Sequence, residues 1–404
     1  MKGLDNMFDL FKKQEKPKYK FKRIFLIVLD SVGIGEADDA YDYEDIDCNT
    51  LLHTLQCTTH KYHNLGEFGL YDLLNDTNSS NKAYYCKANP MCKGKDTLTG
   101  HLEMMGINTK IPFKTFPDGF PDELIKELEK NIGRKVIGNC VASGTEIIEK
   151  LGEEHMKTGN IIVYTSADSV LQIAAHEDVV PLSELYDICL TARKLTLSDE
   201  FKVGRVIARP FKGTPGNFER TSNRHDFSLD PNGITVLDSL MKSHYDVLSI
   251  GKIADIFNNK GITLSAKTKN NTDGIKRIIE ALRKDFTGLC FANLNDFDSL
   301  YGHRRNVVGY ADALREFDDA IPHFLNYLND DDLLIITADH GNDPTYRGTD
   351  HTREKVPVLI YSQQFKQPKR LENLSTFADI GATIAENFAV NKPSIGTSFL
   401  KKLK

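Results

Sequence analysis

The sequence predicts an α/β protein in which a mostly parallel sheet is flanked by helices and a second α/β unit is inserted. Short apolar segments at residues 25–29, 288–294 and 333–338 each end in polar residues, and a helical pattern at residues 308–328 separates the last two. Continuous apolar strands that alternate with helices are typical of a parallel sheet covered on both faces. The insertion is predicted because residues 107–224 interrupt this pattern with strand-like segments and loops rich in glycine and proline.

The chain divides into three predicted parts. Residues 1–20 are expected to form a basic tail, residues 21–107 and 225–404 a discontinuous core domain, and residues 108–224 an inserted cap domain. A chain of 404 residues is long enough for two or three domains with substantial buried cores.

Composition and charge exclude several classes of function. The chain carries 51 basic and 57 acidic side chains, a formal net charge of −6, which argues against a nucleic-acid partner. No segment approaches the roughly 18 consecutive apolar residues of a membrane helix, so no membrane partner is expected. Seven scattered cysteines, an odd number, predict free thiols in a reducing compartment, the cytoplasm. Small anionic substrates remain compatible with this charge.

Acidic and imidazole side chains occur just past the predicted strands or in the neighbouring loops. They are Asp30, Asp298, His303, Asp339, His340 and His351. Because ligands bind beyond the carboxyl ends of parallel strands, we expect these side chains to face one crevice. Three carboxylates and three imidazoles suffice for two adjacent divalent cations, which can clamp the attacking and leaving oxygens of a phosphoryl transfer. A single Asp–His pair would more often be an ordinary pair on the protein surface than a metal site.

Residues 94–106 predict a loop that leads into a short helix closed by Gly106. Thr97 is expected near the start of that helix, where free backbone N–H groups and the helix dipole favour an anion. A hydroxyl at this place, close to a divalent cation, could act as a nucleophile towards phosphorus. The alternative is that Thr97 simply caps the helix.

Five segments of the chain resemble those of the phosphopentomutase family, the prokaryotic type within the alkaline phosphatase superfamily. The segments are residues 28–35, 94–101, 166–169, 296–305 and 337–344. The resemblance runs in order from about residue 23 to the C-terminus. The Asp339-His340-Gly341 element alone would indicate only the superfamily.

The resemblance implies an alkaline-phosphatase-like core that binds two metal ions and is interrupted by a cap domain. The usual metal of the family is Mn²⁺, which other divalent ions can replace. By position, one ion would be held by Asp298, His303 and His351. The other would be held by Asp30, Asp339 and His340. Thr97 matches the threonine that is phosphorylated in the family.

The implied reaction interconverts ribose 1-phosphate and ribose 5-phosphate, or the deoxyribose pair, through a pentose 1,5-bisphosphate. A sugar bisphosphate such as glucose 1,6-bisphosphate would prime the enzyme. Ser166, Asp168, Arg205 and Lys252 match positions that contact the substrate. For Arg205 and Lys252, ordinary solvated surface charge is the alternative.

Three other functions remain open from the sequence. Two are enzymes on the same core: a phosphatase, or a cofactor-independent phosphoglycerate mutase, which uses a serine where this chain has Thr97. The third is a sugar-phosphate sensor without activity, although degenerate enzymes usually lose a ligand or the nucleophile. The oligomeric state and the preferred pentose are not indicated.

Overall fold

Two β-sheets packed against helices form the framework of the protein, which a computed structural model describes over residues 19–166 and 169–404. The predicted α/β class is confirmed. The strands are β1 (Arg23–Leu29), β2 (Tyr84–Ala88), β3 (Val136–Val141), β4 (Ile161–Thr165), β5 (Val170–His176), β6 (Arg205–Thr214), β7 (Asn217–Arg220), β8 (His225–Ser228), β9 (Asp246–Ile250), β10 (Leu264–Ala266), β11 (Gly288–Leu294), β12 (Asp332–Thr337) and β13 (Val356–Tyr361).

The α-helices follow the same chain order. They are α1 (Thr50–Gln56), α2 (His63–Glu67), α3 (Leu70–Asn75), α4 (Thr97–Met104), α5 (Asp122–Ile132), α6 (Gly144–Thr158), α7 (Leu182–Leu195), α8 (Val236–Lys242), α9 (Ile253–Ile256), α10 (Asn271–Leu282), α11 (Val307–Leu325) and α12 (Ala378–Asn387). Ala40–Tyr43 and Leu400–Lys402 form 3₁₀ turns, and Phe297–Gly302 forms a π-helical turn.

The first sheet has the strand order β10-β9-β11-β1-β12-β13-β2. β1 pairs in parallel with β11 and β12, and β9 pairs in parallel with β10 and β11. β13 runs antiparallel to both β12 and β2. The sheet is therefore mostly parallel, as predicted. Every residue of β1, β11 and β12 is buried, which explains why these strands read as continuous apolar segments.

The second sheet has the order β3-β4-β5-β6-β7, and β8 also pairs with β6. It is mixed, with parallel β3–β4 and β5–β6 pairs and antiparallel pairs elsewhere on this path. β8 pairs with residues 205–208 of β6, so residues 225–228, which were expected in the core domain, join the second sheet. The short, partly exposed β8 has no hydrophobic periodicity that could have placed it.

Apolar side chains pack in separate clusters around the two sheets. One large cluster surrounds the first sheet. Two smaller clusters belong to the second sheet: α5 and α7 contribute Leu124 and Ile188 to one, and α6 contributes Ile147 to the other. The chain crosses between the sheets at residues 105–121 and 229–235, which lie outside helices and strands.

Three further sequence expectations meet the structure here. Among the described residues, no helix has both the length and the apolar character needed to cross a membrane. All seven cysteines are free thiols, and five of them are buried. Of the predicted tail, residues 1–20, only Tyr19 and Lys20 fall within the described residues.

Candidate metal centre and active site

The predicted site residues converge at the carboxyl edge of the first sheet. β11, β1 and β12 are parallel neighbours, with Leu29 opposite Leu294. Asp30 directly follows β1, and Asp339 lies two residues beyond β12. Because parallel strands end at the same edge of a sheet, their following residues meet without long connecting loops.

One cluster of side chains joins Asp298, His303 and His351, each with a ligand atom within 4.8 Å of the others. His303 Nε2 lies 3.3 Å from the Asp298 carboxylate, and His351 Nε2 lies 3.2 Å from it. The π-helical turn Phe297–Gly302 carries Asp298 and delivers His303 directly after it. His303 Nδ1 lies 2.7 Å from the carbonyl oxygen of Thr349, so its Nε2 is turned towards the cluster.

A second cluster joins Asp30, Asp298 and His340, again with ligand atoms within 4.8 Å of one another. His340 Nε2 lies 3.3 Å from Asp30 Oδ1 and 3.5 Å from Asp339 Oδ2. Asp298 thus lies in both clusters, whereas the predicted ligand set used it for one ion. The clusters are adjacent, since the rings of His340 and His351 are centred 4.2 Å apart.

The donor atoms of these clusters fit divalent cations. Asp339 Oδ2 and His351 Nε2 are both buried and have no hydrogen-bond partner among the described residues. Buried polar atoms are normally paired, so an unpartnered carboxylate oxygen and imidazole nitrogen in one site call for a ligand. Oxygen and imidazole donors together suit Mn²⁺, Zn²⁺ or Mg²⁺.

The electrostatics of the site favour positive charge. Burial raises the pKa of Asp298, but the imidazoles of His351 and His303 outweigh burial and hold that pKa well below its usual range. Burial lowers the pKa of His340, yet the carboxylates of Asp339 and Asp30 hold it well above its ordinary value. The imidazoles are therefore surrounded by negative charge that a divalent cation would neutralise.

Thr97 is the first residue of α4, and its hydroxyl lies beside the second cluster. Asp96 caps the helix by accepting a hydrogen bond of 3.0 Å from the backbone N–H of Thr99. Thr97 Oγ1 lies 3.3 Å from Asp30 Oδ1 and 3.2 Å from His340 Nε2. The cap is supplied by Asp96, so the Thr97 hydroxyl is turned to the candidate metal ligands and does not cap the helix.

A cavity of about 290 Å³ lies in front of Thr97 and is lined from both sheets. Its cationic side chains are Arg205, Arg224, Lys252 and Lys267. Lys252 Nζ lies 3.7 Å from Asp30 Oδ2. Of the predicted substrate contacts, Arg205 and Lys252 line the cavity, Ser166 is not among the described residues that line it, and Asp168 lies outside the described residues.

Asp226 links two arginines of the cavity wall. Its carboxylate accepts two hydrogen bonds of 2.7 Å from Arg224, and it lies 3.5 Å from Arg205 Nη1. Burial alone raises the pKa of Asp226, but the hydrogen bond and charge of Arg224, with the charges of Arg205 and Arg209, bring it down to about 2. Asp226 thus stays ionised and fixes both guanidinium groups beside the cavity.

Sequence reasoning did not single out Arg224, Asp226 or Asn293. Asn293 lies inside the fully buried strand β11. A polar side chain within an apolar strand needs a hydrogen-bond partner, and this could have indicated from the sequence that Asn293 contacts the site. Arg224 and Asp226 are two residues apart, a spacing that puts both on one face of a strand. Nothing local indicates which sheet that strand joins.

Solved structures similar to this chain have low sequence identity. A protein of Pyrococcus horikoshii, PH0037, is 13% identical with a TM-score of 0.45, over 91% of this chain and 97% of its own. A phosphoglycerate mutase of Leishmania mexicana is 11% identical with a TM-score of 0.45, over 96% of this chain and 98% of its own. The alkaline phosphatase TAB5 is 12% identical with a TM-score of 0.36, over 93% of this chain and 99% of its own.

A family model identifies the group of proteins to which the chain belongs. The model described as the Metalloenzyme superfamily matches residues 22–392, which span both sheets and the whole candidate site. The chain is therefore a member of the Metalloenzyme superfamily.

Proposed function

We propose that this protein is a phosphopentomutase that interconverts ribose 1-phosphate and ribose 5-phosphate, or the corresponding deoxyribose pair. The observation that carries the proposal is the Thr97 hydroxyl, 3.3 Å from Asp30 and 3.2 Å from His340 at the start of a helix. Two arginines and two lysines are among the side chains that line the cavity in front of it. A nucleophile on one side of the cavity and fixed cations on another suit a sugar that is phosphorylated at two positions during the reaction, because one phosphoryl group can react while the cations bind the other.

The residues proposed to hold two divalent cations are those of the two clusters together with Asp339, which lies beside His340. Asp298, His303 and His351 would bind one ion, and Asp30, Asp339 and His340 the other, with Mn²⁺ as the proposed metal. The buried, unpartnered atoms of Asp339 and His351 support this assignment. When bound, the ions supply Lewis-acid stabilisation of phosphoryl oxygens and ease ionisation of a nearby hydroxyl.

The chain's own residues would carry the phosphoryl group between two sugar oxygens. Phospho-Thr97 gives its phosphoryl group to the free hydroxyl of a pentose phosphate, so that the P–Oγ bond breaks as a P–O bond to the sugar forms. The sugar hydroxyl loses its proton in this step, and Thr97 Oγ takes up a proton to become a hydroxyl again. The resulting 1,5-bisphosphate then returns its other phosphoryl group to Thr97 Oγ. A sugar bisphosphate such as glucose 1,6-bisphosphate would load Thr97 initially.

The cavity wall would bind the phosphate that is not reacting. Arg205 and Arg224 present planar guanidinium groups that can bind a phosphate through two parallel hydrogen bonds. Lys252 adds a point charge between this wall and Asp30. Ser166 and Asp168 are proposed to contact the sugar. The free thiols are consistent with a reducing compartment, and we propose the cytoplasm.

The test is an assay of ribose 1-phosphate conversion with Mn²⁺ and glucose 1,6-bisphosphate. Wild-type enzyme should isomerise the substrate and carry one phosphoryl group on the peptide containing Thr97, detected by mass spectrometry. Thr97→Val should lose both, with turnover reduced at least about 1,000-fold. Thr268→Val removes another hydroxyl from the same cavity and should retain the phosphopeptide.

The alternatives give different results in the same assay. Release of inorganic phosphate faster than isomerisation would indicate a phosphatase. Conversion of phosphoglycerates in place of pentose phosphates would indicate a phosphoglycerate mutase. Tight sugar-phosphate binding without turnover under these primed conditions would indicate a sensor. Equal isomerase activity of the wild type and Thr97→Val would refute the phosphothreonine mechanism.

A further inference from the structure

A fully buried histidine lies behind Thr97, one helical turn further along α4. His101 Nδ1 lies 2.8 Å from the carbonyl oxygen of Thr97 and 3.1 Å from Asp339 Oδ2. Both neighbours are oxygen acceptors, so Nδ1 carries a hydrogen. That hydrogen points at the Thr97 carbonyl, because Asp339 Oδ2 lies outside hydrogen-bond geometry and stays unpartnered.

The other side of the ring meets the amide of Asn293. Asn293 Nδ2 donates to Asp30 Oδ2 at 3.0 Å and lies 3.4 Å from His101 Nε2. The carboxylate of Asp30 requires the amide nitrogen at this place, so the orientation of Asn293 is determined. Its second hydrogen faces His101 Nε2, which therefore accepts. The contacts thus place a hydrogen on Nδ1 and make Nε2 the acceptor of the ring.

The packing around His101 leaves little freedom for another arrangement. The ring of Phe291 is centred 5.6 Å from the imidazole, and both side chains are buried. Next to it in the helix, Gly100 lies directly against Asp339: a Cβ at position 100 would fall 2.1 Å from the Asp339 carbonyl oxygen. The start of α4 is therefore seated on the segment that carries Asp339.

We infer that His101 and Asn293 form a positioning bridge, defined here as the contacts from Asp30 through Asn293 and His101 to Thr97 and Asp339. This inference rests on the proposed metal centre. At one end of the bridge, Asn293 orients Asp30. At the other end, the His101 imidazole fixes the backbone carbonyl of Thr97 and lies beside Asp339 Oδ2, a candidate ligand atom. Neither residue is among those that line the cavity, so both would act through the groups they hold.

The bridge predicts weaker metal binding when it is broken. Calorimetric titration of metal-free protein with Mn²⁺ should show an affinity about 10- to 100-fold lower for His101→Leu than for wild type. His101→Asn keeps a donor near the Nδ1 position and should recover part of that loss. In the mutase assay, kcat should fall while KM for the pentose phosphate stays unchanged, because the cationic cavity wall is intact.

His155 provides a matched control. It is equally buried, its Nδ1 lies 2.6 Å from the carbonyl oxygen of Asn160, and its Nε2 accepts from the backbone N–H of His176. His155 lies in α6, which packs against the second sheet and contributes no candidate metal ligand. His155→Asn should therefore lower the melting temperature and leave the affinity for Mn²⁺ unchanged.

A double variant tests whether the two residues act as one unit. Combining His101→Leu with Asn293→Ala should weaken Mn²⁺ binding no more than the stronger single change, because either one breaks the bridge. Unchanged Mn²⁺ affinity in a folded His101→Leu or Asn293→Ala variant would overturn the inference. It would also be overturned if the fold-loss of affinity in the double variant equalled the product of the two single losses. Wild-type protein that binds no Mn²⁺ would overturn the metal centre as well. Wild-type binding without isomerase activity would overturn only the pentose assignment, since the titration still measures the bridge.

Discussion

Replacing Asp226 with asparagine should destabilise the protein by about 2 kcal/mol near neutral pH. The carboxylate accepts two hydrogen bonds of 2.7 Å from Arg224 and lies 3.5 Å from Arg205, and its side chain is only 9% exposed. Asparagine keeps the size of the side chain but removes the charge that offsets both guanidinium groups. It also replaces one acceptor oxygen with a donor facing an arginine.

The magnitude follows from the pKa of this carboxyl group. Against the effect of burial, Arg224 and the neighbouring arginines lower the pKa from 3.8 to about 2, and about 1.4 kcal/mol corresponds to each pH unit. A carboxyl with a lowered pKa in the folded state contributes stability that is complete above its unfolded pKa. That contribution is lost as the pH falls through the folded value. The difference between wild type and variant should therefore shrink to about 1 kcal/mol near pH 3.

Urea unfolding followed by far-ultraviolet circular dichroism at both pH values measures this difference. Asp230→Asn is the control, because Asp230 pairs with Lys260 at 2.7 Å but its side chain is 53% exposed. Exposed pairs contribute less than about 1 kcal/mol. A difference for Asp226→Asn that is absent near neutral pH, or that does not change on acidification, would refute the reasoning. The variant should also raise KM for the pentose phosphate, since Arg205 and Arg224 lose their alignment.

Two further substitutions test the packing around the site. Gly100→Ala places a Cβ 2.1 Å from the Asp339 carbonyl oxygen, so α4 must shift. We expect a loss of about 1–3 kcal/mol in the free energy of unfolding and weaker Mn²⁺ binding. A calorimetric Mn²⁺ titration identical to that of wild type would contradict this. Glu354 is buried and accepts hydrogen bonds from the hydroxyls of Thr50 and Thr352. Glu354→Gln turns an acceptor into a donor there and should cost about 1–3 kcal/mol in thermal unfolding; wild-type melting would show that the hydroxyls reorient freely.

The convergence of the carboxylates could be predicted because it follows from local patterns. Asp30 and Asp339 come directly or almost directly after fully buried strands, and parallel strands end at one edge. The helix that starts at Thr97 was also foreseeable, since its residues precede Gly106, whose φ of +93° suits the end of a helix. In both cases a few neighbouring residues determine the arrangement.

The pairings across the fold could not be predicted in this way. Asp226 contacts Arg205 only because β8 pairs with the start of β6, and a four-residue strand carries too little pattern to assign a partner. Glu354 reads as an ordinary charged residue, yet it is buried against Gly33 and Gly341, where a Cβ would meet its carboxylate at 2.3 and 2.4 Å. Such contacts depend on the final packing of distant segments.

The candidate metal ligands and the arginines near the cavity come from different sheets, and Asp226 helps to keep these charges apart. Asp30 follows β1 and Asp298 lies in the turn after β11, both in the first sheet, whereas Arg205 belongs to β6 of the second. If the arginines lacked a carboxylate of their own, they would be drawn to the candidate metal ligands and would compete with a cation there. Asp226 pairs with them on the second sheet instead. A chain with a net charge of −6 can therefore place candidate metal ligands on one side of the cavity and arginines paired with their own carboxylate on another.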